Sequence, residues 1–218
     1  MPIASNKGGH DFAPIPAGSH LGICYACIDI GTPPPSGNYL PRRKVLLIFE
    51  LPNVRGDFEV DGVKKNLPRA VSKEFTLSLS TKSNLRPSLV SWRGREFTEA
   101  EEKAFEVGNV VGAMALLSIT HKKSKDGTKT YANITGIMQP MKGTAKMKPE
   151  NPTVIFDIPK DGAEIVIPET IPEWIVNKIK MSEEFNAFIN PKAAGHGPAP
   201  NNGQAFPTDS NLDEDVPF

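Results

Sequence analysis

Two runs of this chain place several cations beside an aromatic ring. The first is Tyr39-Leu40-Pro41-Arg42-Arg43-Lys44; the second is His121-Lys122-Lys123-Ser124-Lys125-Asp126-Gly127-Thr128-Lys129, with Tyr131 two residues on. Ammonium and guanidinium groups on loops neutralise phosphates and release their counterions, the main source of sequence-independent affinity for a polyanion. An aromatic face stacks a base, worth roughly 1–3 kcal/mol per base. Tyr25 is a third candidate platform. These residues are suited to holding a strand, with the lysines and arginines (Arg42, Arg43, Lys44, Lys122, Lys123, Lys125, Lys129) on phosphates and Tyr39, Tyr131 and Tyr25 on bases. A solvated hairpin carrying lysines for solubility is the competing reading.

Catalytic patterns are missing. The chain has no Gly-x-x-x-x-Gly-Lys-Ser/Thr loop, no Gly-x-Ser-x-Gly elbow and no His-Glu-x-x-His, so no enzyme is expected. Cys24 and Cys27 form a Cys-x-x-Cys inside an apolar, strand-like run. Zinc takes four ligands, and no second cysteine pair exists. His10 and His20 complete a set only on paper. The pair reads as small buried strand residues, and neither metal nor cofactor is expected.

The elements that must position these groups follow from hydrophobic period and breakers. Strands are predicted at about 20–30, 43–51 and 71–80, with turns and a possible small hairpin between 52 and 68. In the third, Lys73, Phe75, Leu77 and Leu79 alternate with Ser72, Glu74, Thr76 and Ser78. The period then becomes helical at Leu85, Leu89 and Trp92, and Thr98 caps a second short helix that opens with acids. Strands at 109–120 and 130–139 flank the second basic run. Phe49, Phe75 and Trp92 fall on apolar faces and are assigned to the core.

Five strands with a helix between the third and fourth is the order of an OB-fold, a small Greek-key barrel that binds oligonucleotides on its strand 2–3 face with its 1–2 and 4–5 loops. Both basic runs fall in those loops. Further on, 154–158 and 164–167 are short strand candidates, and 171–189 reads as one or two helices striped with Trp174, Ile175, Ile179, Phe185 and Phe188, suited to core packing or a dimer contact. The expected organisation is an arm at 1–19, a core at 20–147, a small α/β accessory segment at 148–189 and a disordered tail at 190–218.

The zero formal net charge conceals an asymmetry. Residues 40–147 hold 19 Lys/Arg against 11 Asp/Glu, and residues 148–218 hold 5 against 12. A basic centre with an acidic arm fits a polyanion binder. No long apolar segment or hydrophobic signal core is seen, so a soluble, cytoplasmic protein is expected.

The chain ends Asp213-Glu214-Asp215-Val216-Pro217-Phe218 after a Pro/Gly/Asn-rich run too polar to bury itself. Three acids and one ring suit a partner with a basic rim and an apolar hole. This acidic cluster followed by a β-branched residue, Pro and Phe resembles the C-terminal tip of bacterial single-stranded DNA-binding proteins, and the rest is more similar to the divergent versions encoded by bacteriophages. The resemblance covers six residues. It implies a protein that coats single-stranded DNA during phage replication and recombination in the bacterial cytoplasm. Residues 213–218 would recruit replication or recombination proteins. A strand-annealing or recombination-mediator protein is the alternative, as is an interaction or inhibitor protein that mimics the host tip.

Overall fold

The computed structural model describes residues 13–36, 40–60, 62–124, 126–159 and 163–190. Its strands are β1 (Gly18–Gly31), β2 (Lys44–Val60), β3 (Val63–Thr76), β4 (Met114–Lys123), β5 (Thr130–Met138) and β6 (Val154–Phe156). Its helices are α1 (Leu85–Arg93), α2 (Glu99–Ala104), α3 (Glu173–Lys180) and α4 (Glu183–Ile189). The predicted order of the first five strands and the helices between the third and fourth is present. The strands form one six-stranded sheet ordered β3-β2-β1-β4-β5, with β6 added to β1. All pairings are antiparallel except β6 on β1. The edge strands β3 and β5 approach one another, and Lys73 Nζ donates to the Ile134 carbonyl at 2.8 Å. No ladder joins them among the described residues, so the sheet is not closed into a barrel. None of the described helices is long and apolar enough to cross a membrane.

Strand β1 organises the sheet because it pairs along both edges. Its first half runs against β4, from Gly18 opposite Ile119 to Ile23 opposite Met114. Its second half runs against β2, and Ala26–Ile28 also carry β6. A shift in register between Cys24 and Ala26 brings Cys24 and Cys27 onto one face, where both are buried.

The sheet has a core on each side. One contains Val45, Leu47, Phe49, Leu51, Val71 and Phe75, closed by Leu85, Leu89 and Trp92 of α1. The spacing of those three residues puts them on one helical face, and the Trp92 indole donates to the Met114 carbonyl at 2.7 Å. The other core holds Leu46 and Ile48 of β2 and Ala26, Ile28 and Ile30 of β1, packed under Phe156, Ile158, Ile171, Ile175 and Ile179. Burial of both faces explains why residues 45–49 are a continuous apolar run.

Several boundaries differ from the sequence reading. β2 and β3 run on through 52–68 as one long hairpin, and Arg55-Gly56-Asp57 is strand, not turn. Pro52 lies in the register shift between Leu51 and Arg55, where an irregular ladder needs no donor from it. β3 stops at Thr76, short of Ser80. β4 begins only at Met114, because residues 107–110 form a 3-10 turn and Gly112 takes φ 86°. Residues 164–167 form no strand. The helical region is two helices, broken where Ser182 caps α4 by accepting from Phe185 N at 3.2 Å. α2 begins as predicted, with Thr98 and Glu101 completing a capping box.

Candidate nucleic-acid interface

Strands β4 and β5 form a hairpin that carries most of the second basic run. Ala132 and Ile134 point to the core, so Tyr131, Asn133 and Thr135 point out and are exposed. In register, Lys122 lies opposite Tyr131, Lys123 opposite Thr130 and Thr120 opposite Asn133. Directly paired residues share a face, so the Lys122 cation and the Tyr131 ring are neighbours on one outward surface. Tyr131 is 44% exposed. Lys122, Lys123 and Lys129 are exposed, and none of them joins an ion pair among the described residues.

The turn between the strands is tied internally. Ser124 N donates to Lys129 O at 2.8 Å, Lys129 N to Ser124 Oγ at 2.9 Å, and Gly127 N to Ser124 O at 2.9 Å. Gly127 adopts φ 72°, a left-handed conformation that favours glycine. Asp126 accepts from Ser124 Oγ and from Thr128 N, which hold its carboxyl at about 2. Among the described residues, the one acid of the run is therefore bonded to the turn and not to a lysine. Lys125 lies outside the described residues.

The first basic run divides three ways. Arg42 is exposed. Lys44 is half-buried and donates to Thr76 Oγ1 at 3.2 Å. Arg43 is committed to the fold: its Nε donates to Asp29 at 2.9 Å, its Nη2 pairs with the same carboxylate, and Nη2 also donates to Ile158 O at 2.8 Å. Tyr39 lies outside the described residues. Tyr25, expected on an outer face, is half-buried beside the second core; burial and the nearby Glu50 carboxylate push its phenol up.

The two basic loops are not brought together by strand pairing. The 1–2 loop follows Gly31, and the 4–5 loop follows Lys123, past the strand position opposite Gly18. They therefore lie at opposite ends of the 14-residue β1. The outer face of β1 and β2 is also covered. Lys178 of α3 reaches Glu74 of β3 at 2.8 Å, and Glu50 accepts from Glu150 N, Asn151 N and Asn151 Nδ2. The β2 half of the strand 2–3 face expected to hold a ligand is therefore a packed interface.

One group of residues escaped the sequence reading. The 55–68 part of the β2–β3 hairpin extends past the start of β1, at the same end as the β4–β5 turn. It carries the exposed Lys64 and Lys65. Arg55 there is held by Glu150 at 2.6 Å. The even spacing of Val54, Phe58 and Val60 was the available sign of strand. Between the two hairpins runs the segment before β1. Arg69 Nη1 donates to Ala13 O at 2.7 Å, and ring nitrogens of His121 and His20 bond to Ile15 O at 2.8 Å and Pro16 O at 2.7 Å.

Cys24 and Cys27 are free and buried. Burial raises both thiols, Cys27 to about 12, so neither is a thiolate at neutral pH. No family model, curated protein or solved structure matches the chain.

Proposed function

We propose that this chain binds single-stranded DNA without strong sequence preference, through the outward face of the β4–β5 hairpin. The observation that carries the reading is Lys122 paired across the ladder with the exposed Tyr131, with Lys123 and Lys129 at the adjoining turn. A free cation takes a phosphate while the ring takes a base, and the polar surface of Thr120, Asn133 and Thr135 accommodates either a sugar or a base edge. The neighbouring β2–β3 arm supplies Lys64 and Lys65 as a second positive wall.

We further propose that the sheet is an open OB-fold. The order β3-β2-β1-β4-β5 supports this, as does the approach of β3 to β5 through Lys73 and Ile134. α1 capping one end of the core also supports it. In this reading the usual strand 2–3 surface is replaced by the β4–β5 side, because Phe156, Ile158, Ile171, Ile175 and Ile179 pack over β1 and β2. Arg42 at the other end of β1 is a separate phosphate contact for a long strand. Residues 213–218 recruit replication or recombination partners, as the tip resemblance implies.

Fluorescence anisotropy with a labelled oligonucleotide tests the reading. Single-stranded DNA binds more tightly than duplex, and log K falls with log[salt] by about 0.7 for each neutralised phosphate. Equal affinity for duplex and single strand, or affinity that ignores salt, would overturn it.

A further inference from the structure

We infer that residues 213–218 of this chain seat in a methionine-lined hollow on its own body, away from the β4–β5 face. The hollow lies where the turn before β4 meets the segment after β5. Its lining includes Ala113, Met114, Pro140, Met141, Lys146 and Met147, around a volume of about 390 Å³. That is within the roughly 300–1,000 Å³ typical of binding pockets. Met147 N lies 3.3 Å from the Met114 sulfur, which fixes one wall, and Met141 is 73% exposed at the mouth.

Charge selects the occupant. Residues 140–149 contain Lys142, Lys146 and Lys148 and no acid. All three lysines are exposed, and none joins an ion pair among the described residues. An apolar floor of thioethers with Lys146 in its wall, and with Lys142 and Lys148 next in chain to the lining residues Met141 and Met147, matches a segment with acids beside an aromatic ring. Thioether sulfur packs favourably on aromatic rings and adapts to their shape. Asp213-Glu214-Asp215-Val216-Pro217-Phe218 has that composition. The lysines face the acids, and Phe218 enters among the methionines.

The chain can reach. α4 is held beside the end of β1, where Glu183 N donates to Thr32 O at 2.9 Å, and the hollow lies beside Cys24, whose carbonyl accepts from Gly112 N at 2.7 Å. Eight residues of strand separate these points, roughly 27 Å. Residues 191–212 span up to about 75 Å when extended.

The chain has six methionines, so methyl-labelled methionine gives a small, assignable set of NMR signals. In the full chain the Met114, Met141 and Met147 methyls are expected upfield, shifted by the Phe218 ring. Phe218→Ala should return those three and leave Met138 and Met181 unmoved. Lys142→Glu, Lys146→Glu and Lys148→Glu together should give the same loss, as should high salt. Methyl signals that are identical with and without the Phe218 ring would overturn the inference. So would a shift that vanishes on dilution, which would mean that a second copy is the occupant. Saturating single-stranded oligonucleotide should leave the three shifts in place; their loss would put the seat on the nucleic-acid face instead.

Discussion

Among the described residues, Asp29 and Glu50 are the two acids the sheet encloses, 2% and 1% exposed, and each holds a piece of the C-terminal segment. Asp29 accepts from Gly31 N, Arg43 and Ile158 N. Arg43→Ala would leave that carboxylate buried without its cation, a loss of about 3 kcal/mol at the lower end of the range for broken buried pairs. Chemical denaturation should show that loss, while Arg42→Ala leaves stability unchanged. The adjacent arginines look interchangeable in sequence. The register shift between Asp29 and Gly31 and the position of Ile158 separate them, and neither is announced by local pattern. The outward position of Tyr131 was legible because Ala132 and Ile134 fix the phase of β5. Tyr131→Ala should weaken single-strand binding by about 1–3 kcal/mol, with the salt slope nearly unchanged because stacking releases few ions. Glu101 illustrates acid sensitivity. Hydrogen bonds from Arg95, then Thr98 N, hold it at about 2. Its folded value is depressed, so its contribution is present above the unfolded value, about 4.3, and is lost as pH falls towards 2. Glu101→Gln should lower Tm at pH 7 and make almost no difference near pH 2.

At the scale of elements, the β4–β5 hairpin is the unit that presents cations. Replacing Lys122, Lys123 and Lys129 together with Ala should weaken all single-stranded sequences alike. The log–log salt slope should become shallower by about 2, three contacts at about 0.7 each. Retention of the full slope would remove this hairpin from the interface. Its strands were readable because alternation, a basic turn and Asp126-Gly127 coincide. The β2–β3 arm was read only as turns with a possible small hairpin, since Pro52, Gly56 and Pro68 resemble loop punctuation and the register shift at Leu51/Arg55 absorbs the first of them. The strand expected at 164–167 fails for another reason. Ile165 and Ile167 pack against the second core singly, and no backbone among the described residues forms a ladder with them.

The whole molecule depends on a cover that sequence alone did not assign to a face. α3 buries Ile175 and Ile179, but Trp174 of the expected stripe is 49% exposed and Phe188 of α4 is 37% exposed. Glu184 of α4 accepts from Thr32 N and Thr32 Oγ1, each at 2.7 Å. Gly31 must remain glycine there, since a Cβ would lie 2.4 Å from that of Ser182. Removing residues 148–218 would strip Ile28, Ile30, Leu46 and Ile48 of their cover. At about 1.5–3 kcal/mol per side chain, that loss is comparable with the roughly 5–15 kcal/mol stability of a whole domain. The truncated chain should bind a hydrophobic dye and aggregate; a monomer with the parent Tm would contradict this. The pairing of β1 with both β4 and β6 also fixes a timetable. Gly18 meets Ile119, and Ala26 meets Val154. Synthesis runs from the N-terminal side, so β1 must wait for partners made much later. Such long-range pairing slows folding and prolongs exposure of apolar surface. The nascent chain therefore passes through a long interval with the Leu46–Ile48 face open, and it is during that interval that a holding chaperone would find it.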